Sequence, residues 1–219
     1  DHILGFFRIW EIPVNDVWGL TGSFNPALPF TSTELENQGL WWDENRYIKP
    51  YMKEHVLYAT FGKYTDDVKR EYLLPDGWQN YKFKPEYDTQ KKIEKHFAAL
   101  GYNFGNKEVL IRDGLYMLHC EVLFVKDISN PGLLHPRISM HSSYSFKDLN
   151  DETRRILDRI YVDYFYHRHN DFWKQQALKK LPALISATNM LVCGEDLGMV
   201  PDSVPDVMNS LEILSLEIQ

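Results

Sequence analysis

Two adjacent carboxylates, Glu195 and Asp196, lie between glycines in the stretch "LVCGEDLGMVP", residues 191–201. The apolar letters before them predict a short buried strand, and catalytic groups of parallel α/β folds lie at the carboxyl ends of strands. A carboxylate beside an apolar wall has its pKa raised by burial and serves as a proton donor near neutral pH. An acid after a strand is also a common cap of the next helix, so spacing alone leaves both roles open.

A further carboxylate, Asp1, precedes the apolar segment "HILGFFRIW". Glycosyl transfer with retention uses two carboxylates about 5 Å apart, one as nucleophile and one as acid/base. Asp1 and Glu195 are residues of the right type, although the sequence gives no distance between them. The densest histidine cluster holds His167 and His169, which two positions apart on a helix point to different faces. No Cys or acid completes a ligand set there, so we expect no metal at this pair.

Composition bounds the partners of the chain. Its 219 residues are 44% hydrophobic and carry a formal net charge of −7, which argues against nucleic acid and anionic membranes and favours a neutral substrate. Cys120 and Cys193 show no paired spacing, which is typical of a reducing cytoplasm. The sequence shows neither a signal peptide nor an apolar run of about 18 residues, so we expect a cytoplasmic protein.

The chain divides into three predicted parts, residues 1–30, 31–150 and 151–219. The first is apolar and rich in Gly and Pro, which indicates the end of a strand followed by a loop. The second is mainly helical, with a hairpin possible near residues 121–140. The third predicts two helices and then a strand, a loop, a helix and a strand, a unit that belongs to a parallel sheet.

Individual signals set the expected ends of these elements. Within the second part, Thr33 and Glu36 predict a capped helix, and Gly62 and Gly101 each predict a helix end. In the third part Ser203 is a candidate cap. Two apolar stripes at helical spacing predict the buried faces of the two helices there: Ile156, Ile160 and Tyr164, then Trp173, Ala177, Leu181 and Leu184.

Two motifs in the same order resemble the 4-alpha-glucanotransferases of glycoside hydrolase family 77. The first motif is matched by Asp1, His2, Gly5, Phe6, Trp10, Ile12 and Pro13, and the second by Glu195, Asp196, Leu197 and Gly198. The resemblance is direct over residues 1–18 and about 145–219. It implies that the chain is a fragment of a (β/α)8 TIM barrel, about strands 4 to 6, with a large, mainly helical insertion.

The resemblance also implies the roles of individual residues. Asp1 would be the nucleophile and Glu195 the general acid/base, while His2, Trp10 and Asp196 would contact the substrate. The substrate would be a malto-oligosaccharide or glucan, and no metal or organic cofactor would take part. For His2, a purely structural role is nearly as strong an expectation.

Three departures from the family pattern qualify these roles. Ile3 and Leu4 stand where the family usually has Phe-Arg, so the function of that arginine is in doubt here. The two acids lie 194 positions apart, much farther than in typical members, which resembles the plant cytosolic type of disproportionating enzyme. The family's third catalytic aspartate has no counterpart, and we expect the isolated fragment to be inactive.

Two other functions compete with catalysis. In the first alternative, the region 31–150 is a glucan-binding or subunit-contact module without catalysis of its own. Trp41, Trp42 and Trp78 would then form a platform on which sugars stack, whereas the competing role for adjacent tryptophans is to anchor the insertion to its host domain. The remaining alternative is a helical protein-interaction domain unrelated to sugars. Strands expected at residues 190–194 and 213–218 would have exposed edges, so self-association is also expected.

Overall fold

The computed structural model describes residues 28–101, 105–127, 130–195 and 200–216. Seven strands in this part of the chain are β1 Phe30–Thr31, β2 Leu73–Pro75, β3 Tyr81–Phe83, β4 Phe124–Lys126, β5 Leu133–Pro136, β6 Cys193–Glu195 and β7 Leu214–Leu216. Its α-helices are α1 Ser32–Asn37, α2 Glu44–Tyr47, α3 Glu54–Phe61, α4 Thr65–Tyr72, α5 Gln90–Ala98, α6 Asn106–His119, α7 Tyr144–Lys147, α8 Asp151–Val162, α9 Asn170–Ser186 and α10 Val204–Ser210. None of the described helices is long and apolar enough to cross a membrane.

Strands β4 and β5 form the hairpin expected near residues 121–140, with antiparallel register Val125↔His135. Asn130 shapes the connection, since its side-chain oxygen accepts a hydrogen bond from the Gly132 amide at 3.1 Å. Strand β1 pairs with the other edge of β5, Phe30 facing Leu134. The hairpin prediction is confirmed, and the third strand, contributed from about a hundred residues earlier in the chain, was not predicted.

A first core surrounds this three-stranded sheet. Helix α8 and the π-helical turn Asp163–His167 that follows it bury Leu157, Ile160 and Tyr164 against the sheet. The stripe predicted from Ile160 and Tyr164 is therefore confirmed, whereas Ile156 is only partly buried at its edge. Burial of these large side chains contributes on the order of 2 kcal/mol each.

Helices α3 to α6 and the hairpin β2–β3 enclose a second core. Its centre contains fully buried Val56, Ile93 and Leu115. Gly62 ends α3 with φ +53°, and Gly101, three residues beyond α5, has φ +54°, so both predicted stops are confirmed. Helix α6 carries Gly114 where a Cβ would lie 2.3 Å from Cε1 of Phe61, because the two helices pack closely there.

Two predicted caps are wrong in detail. Helix α1 begins two residues earlier than expected, because Thr31 and Glu34 form the capping box rather than Thr33 and Glu36. Ser203 occupies the cap position of α10 but makes no cap hydrogen bond. Its hydroxyl instead donates to the carbonyl oxygen of Asn170 at 3.0 Å, which ties α10 to the start of α9.

The last described unit is β6, α10 and β7, and its two strands are parallel, as predicted. The expected burial of β6 is wrong, since Cys193 is exposed. The sheet has only these two strands among the described residues, so its outer edges are uncovered and α10 packs on one face only. The second predicted stripe is partly wrong for the same reason: Ala177 is buried, but Leu184 is 58% exposed.

Candidate active-site strand and the adjoining module

Glu195 is the last residue of β6, where it pairs in register with Leu216 of the parallel strand β7. The carboxyl ends of parallel strands meet at one edge of a sheet, and this is the edge at which α/β enzymes hold their catalytic groups. Leu214 begins β7 by donating its amide to the carbonyl of Val192 at 3.1 Å. The backbone position of Glu195 is therefore the one expected of a catalytic acid.

Gly194 allows α10 to pack directly on β6. A Cβ at this position would lie 2.9 Å from the methyl carbon of Met208 in α10 and 3.7 Å from Cγ2 of Ile213. A larger side chain would therefore require the flexible end of Met208 to move from the surface of the strand that carries Glu195. The glycine before the acid thus has a packing role that the motif alone did not reveal.

The other predicted site residues lie outside the described part of the chain. These are Asp1, His2, Trp10 and Asp196. Their pairing with Glu195, including the separation of the two carboxylates, stays a prediction.

Arg168 and His169, just before α9, bind the backbone of residues 28 and 29 ahead of β1. The Arg168 guanidinium donates from Nε to the Leu28 carbonyl at 2.7 Å and from Nη2 to the Pro29 carbonyl at 3.0 Å. It also pairs with Glu34 at 2.8 Å and lies 4.1 Å from the ring centroid of Phe30. These contacts, which we call the basal clamp, join residues about 140 positions apart.

The imidazole of His169 completes the basal clamp. Its Nε2 accepts the Leu28 amide hydrogen at 2.9 Å, so that nitrogen carries no proton. Burial lowers the pKa of His169, and the positive charge of Arg168 adds to this effect against an opposing hydrogen bond to the Tyr164 backbone. The ring is therefore neutral, and it binds the backbone of two separate segments.

A second buried polar cluster lies beside the clamp. His135 is hydrogen-bonded through Nδ1 to the Tyr164 hydroxyl at 2.8 Å and through Nε2 to Asp127 Oδ2 at 3.0 Å. Burial lowers the pKa of His135, and Asp127 opposes this shift. Tyr164 is fully buried, and His135 is buried as well. The cluster therefore joins the hairpin to the helix and is not open to a substrate.

The tryptophans of the module differ in their surroundings. Trp42 packs against the first core and contacts the ring of Phe124 edge-on, with centroids 5.6 Å apart. Trp41 and Trp78 are 85% and 86% exposed. The anchoring role considered for adjacent tryptophans thus fits Trp42, and the other two indoles are open to a ligand or partner.

The histidine pair on the last helices does not form a metal centre. His167 is exposed and lies 3.9 Å from Asp202, whereas His169 is buried in the basal clamp. Across residues 28–101, 105–127, 130–195 and 200–216, no cluster of three or more His, Cys, Asp or Glu side chains could hold an ion.

These features define an α/β protein in which a parallel strand–helix–strand unit follows a compact module with two cores. Residues 1–219 match the family described as 4-alpha-glucanotransferase, glycoside hydrolase family 77, and the chain belongs to this family. Membership implies a TIM-barrel type of fold for the family. The resemblance first noted in the two motifs is confirmed.

A curated relative supports the same assignment. The chain is 38% identical over 221 residues to the 4-alpha-glucanotransferase DPE2 of Oryza sativa subsp. japonica. The match covers 100% of this chain and 23% of the relative, so the chain spans about a quarter of that protein's length. No solved structure matches the chain.

Proposed function

We propose that the protein containing these residues is a retaining 4-alpha-glucanotransferase that moves α-1,4-linked glucosyl or glucan units from malto-oligosaccharides to a sugar acceptor. The observation that carries the proposal is the position of Glu195 at the carboxyl end of β6, beside a parallel strand, in a chain of this family. No metal or organic cofactor is required by this chemistry.

In the proposed mechanism, the Asp1 carboxylate attacks the anomeric carbon while Glu195 donates its proton to the departing glycosidic oxygen. The product is an ester between sugar and Asp1. Glu195, now ionised, then takes the proton of an acceptor hydroxyl, whose oxygen displaces Asp1. Two inversions at the same carbon give net retention. His2, Trp10 and Asp196 are assigned to substrate contacts.

We further propose that β6 and β7 are the fifth and sixth strands of a (β/α)8 barrel. Helix α9 precedes β6 and α10 follows it, and the two helices adjoin through Ser203 and Asn170. Several large apolar side chains are exposed on this unit: Leu184, Met190, Leu191, Leu214 and Leu216. In a closed barrel, neighbouring strands and helices would cover such side chains.

The basal clamp supports an insertion between the two motifs that returns near residue 168, beyond the predicted end at 150, since the first core includes Leu157, Ile160 and Tyr164. A segment inserted into a host fold must leave and return at neighbouring points. Leu28 and His169 meet this condition, since their amide and imidazole are 2.9 Å apart. The module between them has its own two cores, which is expected of an insertion that folds as a unit.

Substitution of the two acids in the full-length protein tests the mechanism. Asp1→Asn and Glu195→Gln should each abolish transfer from maltotriose, whereas Glu36→Gln, an exposed control, should retain it. An α-maltosyl fluoride donor separates the roles, because fluoride leaves without protonation. Glu195→Gln should therefore release fluoride faster than Asp1→Asn. Normal transfer by either acid variant, or rapid fluoride release by Asp1→Asn, would refute the assignment.

A second candidate function is a glucan-binding or subunit-contact module without catalysis of its own. The exposure of Trp41 and Trp78 favours it. Loss of glycogen binding on replacing these indoles, with transfer unaffected by Asp1→Asn, would select this function. Self-association and the cytoplasmic location both stay predictions.

A further inference from the structure

A cleft of about 810 Å³ lies between the segment 43–53 and the hairpin β2–β3. Its two walls are joined by backbone hydrogen bonds. The Tyr81 amide donates to the Met52 carbonyl at 3.0 Å, and the Glu54 amide donates to the Gln79 carbonyl at 3.1 Å. The cleft is therefore a fixed feature of the module rather than a gap between independent loops.

The charged side chains around the cleft are of both signs and are held by different kinds of partner. Lys82 pairs with Asp76 at 2.9 Å, and the Asp43 carboxylate accepts the Asn45 amide of α2 at 2.9 Å. The guanidinium of Arg46 is bound by Ser145 Oγ at 2.6 Å. Because four basic and three acidic side chains share the lining, neither sign of charge dominates, and the cleft favours a neutral ligand over an anion or a cation: Arg46, Lys49, Lys53, Lys82, Asp43, Asp76 and Asp88.

The remaining polar groups suit a ligand rich in hydroxyls. The side-chain amides of Asn45 and Asn80 line the cleft and carry no side-chain hydrogen bond to the described residues. Each amide offers donors and an acceptor, which match the paired donor and acceptor character of neighbouring hydroxyls. Lys49 adds a third donor on the same wall.

The hairpin turn adds an apolar plate beside these groups. Trp78 lies between the lining residues Asp76 and Asn80, and it is 86% exposed. Gly77 with φ +100° and Gln79 with φ +53° fix the turn that presents it. An indole exposed to this extent offers a flat surface on which the C–H face of a sugar ring can stack.

We propose that this cleft, together with exposed Trp78 in the hairpin turn that carries two of its lining residues, binds an α-1,4-glucan chain at a site separate from Glu195. The proposal rests on the proposed function. In the proposed barrel, the insertion leaves after the carboxyl end of the strand that carries Asp1, and therefore on the face that holds the active site. A glucan held in the cleft is the acceptor chain or part of a polymeric substrate.

Two variants of the full-length protein test the site. Trp78→Ala and Asn45→Ala change exposed side chains and should leave the thermal midpoint unchanged. Each should raise KM for a long glucan acceptor, for Trp78→Ala by about tenfold, and leave kcat and KM for glucose as acceptor unchanged. Tyr166→Ala, which removes an exposed ring on the π-helical turn, is the matched control and should alter neither acceptor.

Hydrogen exchange locates the glucan directly. In the Glu195→Gln background, saturating maltoheptaose should protect amides of residues 43–53 and 76–83, and Trp78→Ala should abolish this protection. An unchanged KM for the long acceptor in Trp78→Ala, or the absence of protection at these residues, overturns the inference. The proposed function is judged separately, since it stands as long as the wild-type protein transfers to glucose. A change in oligomeric mass without a change in glucan binding also overturns it, since Trp78 would then contact another chain.

Discussion

Replacing Arg168 with methionine should release the chain segment 28–34 from the turn that precedes α9. Methionine keeps the unbranched apolar stem but removes two hydrogen bonds to backbone carbonyls, the pair with Glu34 and the stacking on Phe30. Hydrogen bonds from a charged donor contribute about 1.5–3 kcal/mol each when buried. The guanidinium is 21% exposed and Glu34 is 43% exposed, so the ion pair adds only about 0–1 kcal/mol. Because both hydrogen bonds are only partly buried and contributions within one cluster are not additive, we expect the net loss of local stability to be lower than their sum, about 2–4 kcal/mol.

Hydrogen exchange in the full-length protein measures this loss. Where reclosing is faster than chemical exchange from the open state, about 2–4 kcal/mol corresponds to a rate increase of roughly 30-fold to 700-fold at the Leu28 and Thr31 amides. Arg159→Met is the control, because its Nη2 makes only a 3.4 Å contact with the Gln38 carbonyl at the surface. That variant should change exchange by less than about 0.5 kcal/mol. Equal protection of residues 28–34 in wild type and Arg168→Met would show that the clamp does not hold the segment.

Three further changes test the packing and electrostatics. Gly114→Ala should lower the thermal midpoint, because overpacking against Phe61 costs about 1–3 kcal/mol and outweighs a helix-propensity gain of about 1 kcal/mol; an unchanged midpoint would contradict the close packing. Leu157→Ala should destabilise the first core by about 2–5 kcal/mol in urea titration, and a loss below 1 kcal/mol would contradict its full burial. His135 and His169 have lowered pKa values, so the unfolded chain binds more protons below about pH 6.5 and the urea midpoint should fall from pH 7.5 to 5.5; a flat profile would refute their buried neutral state.

Elements with a local cause were predictable from the sequence. Gly62 and Gly101 adopt the positive φ values that end helices, and the run after Glu121 forms a hairpin around the Asn130 turn. Each of these structures is decided within about ten residues. The parallel unit around Glu195 also followed from the order strand, loop, helix and strand, since such a connection cannot form an antiparallel hairpin.

Features that join distant residues were not predictable. Strand β1 exists because Phe30 pairs with Leu134, and nothing near Phe30 in the sequence indicates that partner. The basal clamp escaped notice for the same reason, although the "HRH" stretch drew attention to His169 as a metal ligand. Its actual partner is a backbone amide, and only the burial of the ring distinguishes these two uses.

Burial of the last strands could not be judged from their composition. Leu214 and Leu216 have the apolar character of a buried parallel strand, yet both are exposed because only β6 pairs with β7 in the described residues. An apolar composition indicates that a strand is stable only when its side chains are covered. Whether they are covered depends on the strands and helices that pack against it. The exposure of Leu214 and Leu216 is what the proposed barrel requires of a strand that further strands would cover.

The basal clamp and Gly194 give a physical reason why a long insertion is compatible with the proposed catalytic role of Glu195. Arg168 and His169 fix the exit and return of the module to each other, so its internal motions need not reach the strand. Ser203 then ties α10 to α9 at Asn170, and Gly194 seats α10 on β6. A continuous set of contacts therefore runs from the base of the module to the strand end. If loosening the basal clamp changes the position of Glu195 through these contacts, it should do so by moving α10 on β6. The position of α10 is therefore the quantity that links the base of the module to Glu195.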